Sequence, residues 1–351
     1  MNIKIYQLLP LLILSLTACN NEKQGTISPN ALKPAAITDT VGHDTDDPAI
    51  WIHPADSSKS LIIGTDKDTD GGLYAYNLDG GIVNKVTGLK RPNNVDIAYG
   101  LNINGKLVDI AVATERETNM IRIYSLPDLK PLDKGGIPVF EGESQRDPMG
   151  VSLYTAPDSN IYAIVGRKTG PSDQYLWQYK LTDNGLGGIK AEVVRKFGKY
   201  SGKKEIEAIA VDNESGFIYY SDETVGVHKY YADPTKGNEE LAFFAQDGFT
   251  SDHEGISIYK TGPKTGYILI SNQQKNSFMV YRREGSKANI HEHQLITEID
   301  VSTIESDGSD VTNVNLGPKY PNGLFVAMSN GKVFQYYDWR DLQKKIDAAK
   351  K

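Results

Sequence analysis

A tyrosine-centred strand pattern recurs six times along the chain: GLYAYNLDG (72–80), MIRIYSLPD (120–128), YLWQYKLTD (175–183), GVHKYYADP (226–234), SFMVYRREG (277–285) and KVFQYYDWR (332–340). The shared residues are Tyr76, Tyr124, Tyr179, Tyr230, Tyr281 and Tyr336, spaced 48, 55, 51, 51 and 55 residues apart. A period of about 50 residues with alternating apolar positions matches a propeller blade of four short strands. Six copies predict an all-β fold, a six-bladed β-propeller, over residues 36–345.

A second piece, an apolar strand, a turn and another apolar strand, recurs between the tyrosine strands. Its copies run from DPAIWIHPADSSKSLIIGTD to PNGLFVAMSNGKVFQYY. The turns carry Asn104-Gly105, Pro157-Asp158, Asn213 with Gly216, Gly262-Pro263 and Asn330-Gly331, residues suited to tight reversals. Each blade therefore reads as inner strand, hairpin, second strand, loop, tyrosine strand and an outer strand such as AEVVRKFG or HQLITEID. The last copy is compressed, its second piece being already the tyrosine strand. Residues near 36–42 are expected to complete a blade and close the ring. Residues 339–350 read as a short amphipathic helix whose lysines form a solvated face.

The opening MNIKIYQLLPLLILSLTAC has the form of a signal peptide over residues 1–18, with Lys4 as its positive region and an apolar run too short to span a bilayer. Leu16-Thr17-Ala18-Cys19 resembles a bacterial lipobox, and the only cysteine of the chain falls at its last position. The expectation is an exported lipoprotein held to a membrane by lipid on Cys19, facing periplasm or cell exterior, with residues 19–35 as a flexible tether. With a single cysteine, disulfides cannot staple the fold. The net charge of −7 argues against nucleic-acid partners, whose phosphates demand excess Lys and Arg. A monomer is expected.

Polar residues gather at two recurring points, the start of the inner strand and the loop after the second strand. In a propeller both reach the same mouth of the central channel. Inner-strand starts carry Asp44, Asp46, Asp47, Asn93, Asn94, Asp96, Glu205, Glu207, Asp252 and Glu254. The loops after second strands carry Asp66, Lys67, Glu115, Arg116, Arg167, Lys168, Asp222, Glu223 and Gln273. So many carboxylates at one mouth repel unless cations neutralise them, and an oxygen-rich set suits a hard ion such as calcium. The interleaved Lys67, Arg116 and Lys168 suit a polyanion, Arg matching phosphate bidentately. Singly, each acid is as well read as a local turn cap. The recurrence is what favours ions.

DTDDPAIWIHP (44–54), RPNNVDIAYG (91–100), IEAIAVD (206–212), SDHEGISIY (251–259) and LGPKYPNGLFVA (316–327) closely resemble the bacterial beta-propeller phytases, in order, from about residue 40 to 340. The resemblance implies a calcium-dependent phytase that releases phosphate from calcium-complexed phytate by attack of a metal-activated water. It implies calcium ligands at Asp46, Asp47, Asn94 and Asp96. Glu207, Glu223, Asp252 and Glu254 match acidic positions that bind metal or handle water, with Glu207 and Glu254 as candidate bases. Lys67, Arg116 and Lys168 match phosphate-binding bases; Asp212 and Gln273 match supporting positions, and Gln273 and Glu223 are also expected near substrate. ESDGSD (305–310) is shorter than the family's acidic loop, so Asp307 and Asp310 compete for one ligand role. Met149 stands where relatives commonly place a phosphate-contacting Tyr, and a thioether cannot donate that hydrogen bond. No acid lies near Pro34 to match an N-terminal calcium ligand of some relatives.

Other readings weighed are a calcium-dependent six-bladed lactonase or phosphotriesterase, and a non-enzymatic lipoprotein scaffold. The former usually has one central ion and a neutral pocket, whereas this mouth combines many acids with three bases. His291-Glu292-His293 reads as solvated surface rather than a zinc site, and His53 as structural. His253 is placed to order Asp252 and Glu254, unless strand alternation turns it away.

Overall fold

The structure, a computed structural model, describes residues 25–351; the lipobox and Cys19 lie outside the described residues. Six sheets stand in a ring. The first blade runs Thr45–Trp51, Leu61–Asp66, Gly71–Tyr76 and Ile82–Leu89, from channel to rim. Blades two to five begin at the channel with Pro92–Ile103, Pro148–Thr155, Ile209–Asp212 and His253–Lys260. The second blade is the irregular one, its rim reduced to the short pairings Lys130–Pro131 and Ile137–Pro138.

The sixth blade corrects the expectation of a compressed copy. Its inner strand is Ser309–Thr312, so Leu324–Ser329 is the second strand and Val333–Asp338 the third. The sixth inner strand, SDVT, has one apolar residue, whereas the equally short Ile209–Asp212 of the fourth blade has three in a row. Ala36–Ile37 supplies the outer strand, Ala36 opposite Tyr336 and Ile37 opposite Gln335, so the N-terminal segment closes the ring. Upstream of this strand, part of the expected tether lies along the propeller: Leu32 N–H donates to the Asp300 carbonyl (2.9 Å), and Ser302 N–H donates to that of Leu32 (3.1 Å).

The core is divided into six apolar clusters, one between each pair of neighbouring blades. This explains the tyrosine repeat. All six repeat tyrosines are buried in third strands, and several meet an aromatic ring of the preceding blade edge-on: Tyr76 on Phe334, Tyr230 on Phe197 and Tyr281 on Phe244, at centroid distances of 5.4–6.0 Å. That geometry sets the negative ring face against the positive ring edge. One α-helix, Trp339–Ala349, is found among the described residues; Asp338 caps it, and it buries Trp339, Leu342 and Ile346. None of these residues forms a helix long and apolar enough to cross a membrane.

Of His291-Glu292-His293 only His293 departs from the solvated reading; Glu292 is exposed and His291 half-buried. His293 is 7% exposed and lies against Phe244 and Tyr219. Its Nδ1–H donates to the Arg282 carbonyl (2.8 Å), leaving Nε2 to accept from the buried Lys229 ammonium (3.0 Å). Burial, followed by the Lys229 charge, pushes the His293 imidazole down to about 4.

Candidate active site at the propeller mouth

Strand register brings the two polar positions of each blade together. Thr45 pairs with Asp66, Pro92 with Glu115, Pro148 with Arg167 and His253 with Asn272, so inner-strand starts and second-strand ends share one level of the ring. Neighbouring blades then interlock through close backbone approaches. A Cβ at Gly150 would fall on the carbonyl oxygen of Glu207, and one at Gly308 would sit 2.6 Å from the Asp46 carbonyl. These glycines allow the acidic loops to crowd the mouth.

Two groups of carboxylates result. Glu205, Glu207 and Glu223 present oxygens within 4.8 Å of one another, and so do Glu223, Asp252 and Glu254. Asn93 Nδ2 links them to the first blade, donating to Asp46 Oδ2 (3.1 Å) and to Glu207 Oε1. Lys67 Nζ pairs with Asp46 and with Asp307 Oδ2 (3.2 Å), while Gln273 Nε2 donates to Asp307 Oδ1. Of the two competing aspartates, Asp307 thus belongs to the mouth. Asp310 turns into the channel, where it accepts from Ile50 N–H (2.8 Å) and Val311 N–H (2.7 Å).

The electrostatics follow from crowding. Burial, then the Glu207 charge, pushes the Glu223 carboxyl up to about 8 despite the Lys204 ammonium beside it. Burial and the neighbouring carboxylates of Glu223, Glu207, Asp307 and Asp252 hold Glu254 well above the carboxylate range. Asp46 is raised in the same way, first by burial and then by Glu207 and Asp307, against the opposing pull of Lys67. Burial works against charge on Lys67, but Asp46, Glu207 and Asp307 outweigh it and hold the ammonium well above its usual range.

The described residues fit a hard cation. Glu254 Oε2, Asn93 Oδ1 and Asn94 Oδ1 are buried acceptors with no hydrogen-bond partner. An unpaired buried carboxylate oxygen is costly unless a charge compensates it. All the available donors are oxygens, and the grouped carboxylates can supply several ligands to one ion, as calcium requires.

Not every expected residue joins this cluster. Asp47 and Asp96 line the channel below it. Asp47 Oδ2 accepts from Val95 N–H (3.1 Å), and Asp96 Oδ2 from Ser152 Oγ–H and Leu153 N–H (both 2.7 Å). With Asp310 on Ile50, these aspartates join one inner strand to the next. Asp212 is far from the mouth, at the other end of its strand, in a buried bidentate pair with Arg283 (2.7 and 2.6 Å). Arg116 is buried rather than on an exposed loop, with Nη2 donating to Met149 Sδ, and Met149 itself is 1% exposed. Lys168 reaches outward to Glu205 Oε1 (2.8 Å). Arg167, level with it in sequence, is a core residue over the Phe140 ring. His253 points away from the mouth, donating to the Ala245 carbonyl (2.6 Å) and stacking on Phe249.

Two residues escaped the sequence reading. Gln274 Nε2 donates to Asp252 Oδ2 (2.5 Å) and Gln273 Oε1 (2.7 Å). Lys204 Nζ lies 2.5 Å from Asp252 Oδ2 and 3.2 Å from Glu223 Oε2. In KKEIE a lysine reads as solvated surface; the signal was its place at an inner-strand start, where the other blades carry acids.

Residues 4–337 match the family model described as Phytase. The chain is also similar to the 3-phytase of Bacillus subtilis (strain 168), 32% identical over 360 residues, which covers 95% of this chain and 91% of that protein.

Proposed function

The chain belongs to the phytase family, and we propose that it is a calcium-dependent phytase releasing inorganic phosphate from myo-inositol hexakisphosphate at the acidic mouth of the propeller. It is a phosphate-ester hydrolase by family. One observation supports the calcium reading above others: the buried carboxylates of Glu207, Glu223, Asp252 and Glu254, the last with an unpartnered oxygen, gathered on one mouth with Lys67 and Lys168.

In this reading Asp46, Asn94, Glu207, Glu223, Asp252, Glu254 and Asp307 hold the calcium. Bound there, calcium would acidify water and offset phosphate charge. The protein's own groups do the rest. Glu254 and Glu207 are positioned to take the proton from the attacking water. Lys67, already fixed by Asp46 and Asp307, presents a charge that the carboxylates keep on its ammonium. Lys168, half exposed, is free to turn from Glu205 to a phosphate. Arg116, buried against Met149 with its Nε unpartnered, would have to turn out of that contact to reach a phosphate. Together they stabilise negative charge on the phosphoryl group.

Asp47, Asp96 and Asp310 join adjacent blades in this reading, and any contact they make with an ion is secondary. Export, lipidation at Cys19 and the monomeric state are part of the same proposal, the first two resting on the LTAC motif. A substrate panel tests the function. Purified protein in calcium should release phosphate from phytate and leave lactones and phosphotriesters intact; hydrolysis of those instead, or of none, overturns it.

A further inference from the structure

Lys204 differs from the other bases of the mouth. Lys67 is enclosed between Asp46 and Asp307, and Lys168 touches a single carboxylate at the rim. Lys204 instead bridges Glu223 and Asp252, two of the three residues whose oxygens converge at ligand spacing. Its ammonium therefore sits against the oxygens that an ion would need. The third member, Glu254, which is 96% buried by its 4% exposure, keeps Oε2 without a partner. The lysine thus neutralises the group only in part, whereas an ion with six to eight oxygen ligands can gather all three carboxylates.

The lysine is also built to leave. Its side chain is 45% exposed, while its backbone is held: the Tyr200 hydroxyl donates to the Lys204 carbonyl (2.5 Å), and Lys203 N–H donates to Ser201 Oγ (3.2 Å). The stem can swing toward solvent without moving Glu205 or Glu207, which follow it in the loop.

We propose that Lys204 is a resident cation of the Glu223–Asp252–Glu254 group, which a divalent ion must displace in order to bind there. The inference rests on the calcium reading of the mouth. It makes Lys204 a determinant of metal affinity in this chain: the ammonium stabilises the acids when calcium is scarce and raises the calcium concentration needed to fill the group.

Calorimetric titration of the whole exported chain with calcium chloride tests it, comparing wild type with Lys204→Met and Lys204→Arg. Removing a unit charge beside a dication should tighten calcium binding at this group by about tenfold or more in Lys204→Met, and Lys204→Arg should keep the wild-type affinity. Should Lys204→Met fold poorly without metal, wild type alone gives the answer through amine acetylation mapped by mass spectrometry. Calcium should raise labelling of Lys204 relative to chelator, because displacement frees the ammonium. Equal affinity in wild type and Lys204→Met, weaker binding in the variant, or labelling of Lys204 that calcium leaves unchanged or lowers would each overturn the proposal. Absence of calcium binding in every protein removes the calcium reading, and this inference with it.

Discussion

Glu254 sits in the mouth with one carboxylate oxygen unpartnered and Glu207, Glu223, Asp252 and Asp307 around it. Replacing it by Gln removes the cost of protonating or charging this buried carboxyl while keeping the shape. Glu254→Gln should therefore raise the melting temperature of the chelated protein, yet lower phosphate release by about 10²-fold or more if it acts as the base. A variant that is both as active as wild type and no more stable in chelator would show that Glu254 does neither. Met149 tells a different residue-scale story. The resemblance places a phosphate-contacting Tyr at this position in relatives, but here Met149 is 1% exposed and packed against Arg116. Met149→Tyr should cost about 1–3 kcal/mol through overpacking, read as a lower denaturation midpoint, and should shift Arg116 from its place. An unchanged midpoint would show that the pocket has room for the ring.

At the scale of blades, stability resides in the seams. Arg283 of the fifth blade and Asp212 of the fourth are both buried, and their bidentate pair holds the carboxyl below its usual range against the cost of burial. Arg283→Met strands that carboxylate and should destabilise the protein by about 3–5 kcal/mol. The Asp212 contribution is present above the unfolded carboxylate pKa and is lost as pH falls through the folded value, so the gap between variant and wild type should narrow in acid. A gap that stays constant into acid would contradict this account. The blades themselves were legible from the tyrosine period because a buried third-strand ring is needed once per seam. The sixth inner strand was not, since Ser309–Thr312 is short and polar and is defined by pairing with Val326 and Phe325 rather than by pattern. The mouth acids were legible as recurrent positions, but alternation alone could not tell which faced the mouth and which the channel. Asp96 and Asp310 were separated from Glu207 and Asp307 only by the backbone N–H groups they meet on the neighbouring strand.

For the whole molecule, the mouth couples metal, protons and stability. Without metal, Glu223 holds its proton up to about 8 instead of its ordinary 4.5, and Glu254 and Asp46 shift in the same direction. The unfolded chain releases these protons near pH 4–5. Between about pH 4.5 and 8 the native state therefore binds more protons than the unfolded state, and the chelated protein should lose stability as pH rises. Calcium binds the ionised acids and stabilises the native form by mass action, so the difference in melting temperature between calcium and chelator should widen from pH 5 to pH 8. A difference that is constant or shrinks over this range would detach the acids from the metal. The most direct test of the central claim is phosphate release from phytate as a function of free calcium in a buffered series. The account predicts a rate that rises and saturates with calcium, vanishes on chelation and returns when calcium is restored. Release that proceeds equally well in chelator would contradict it.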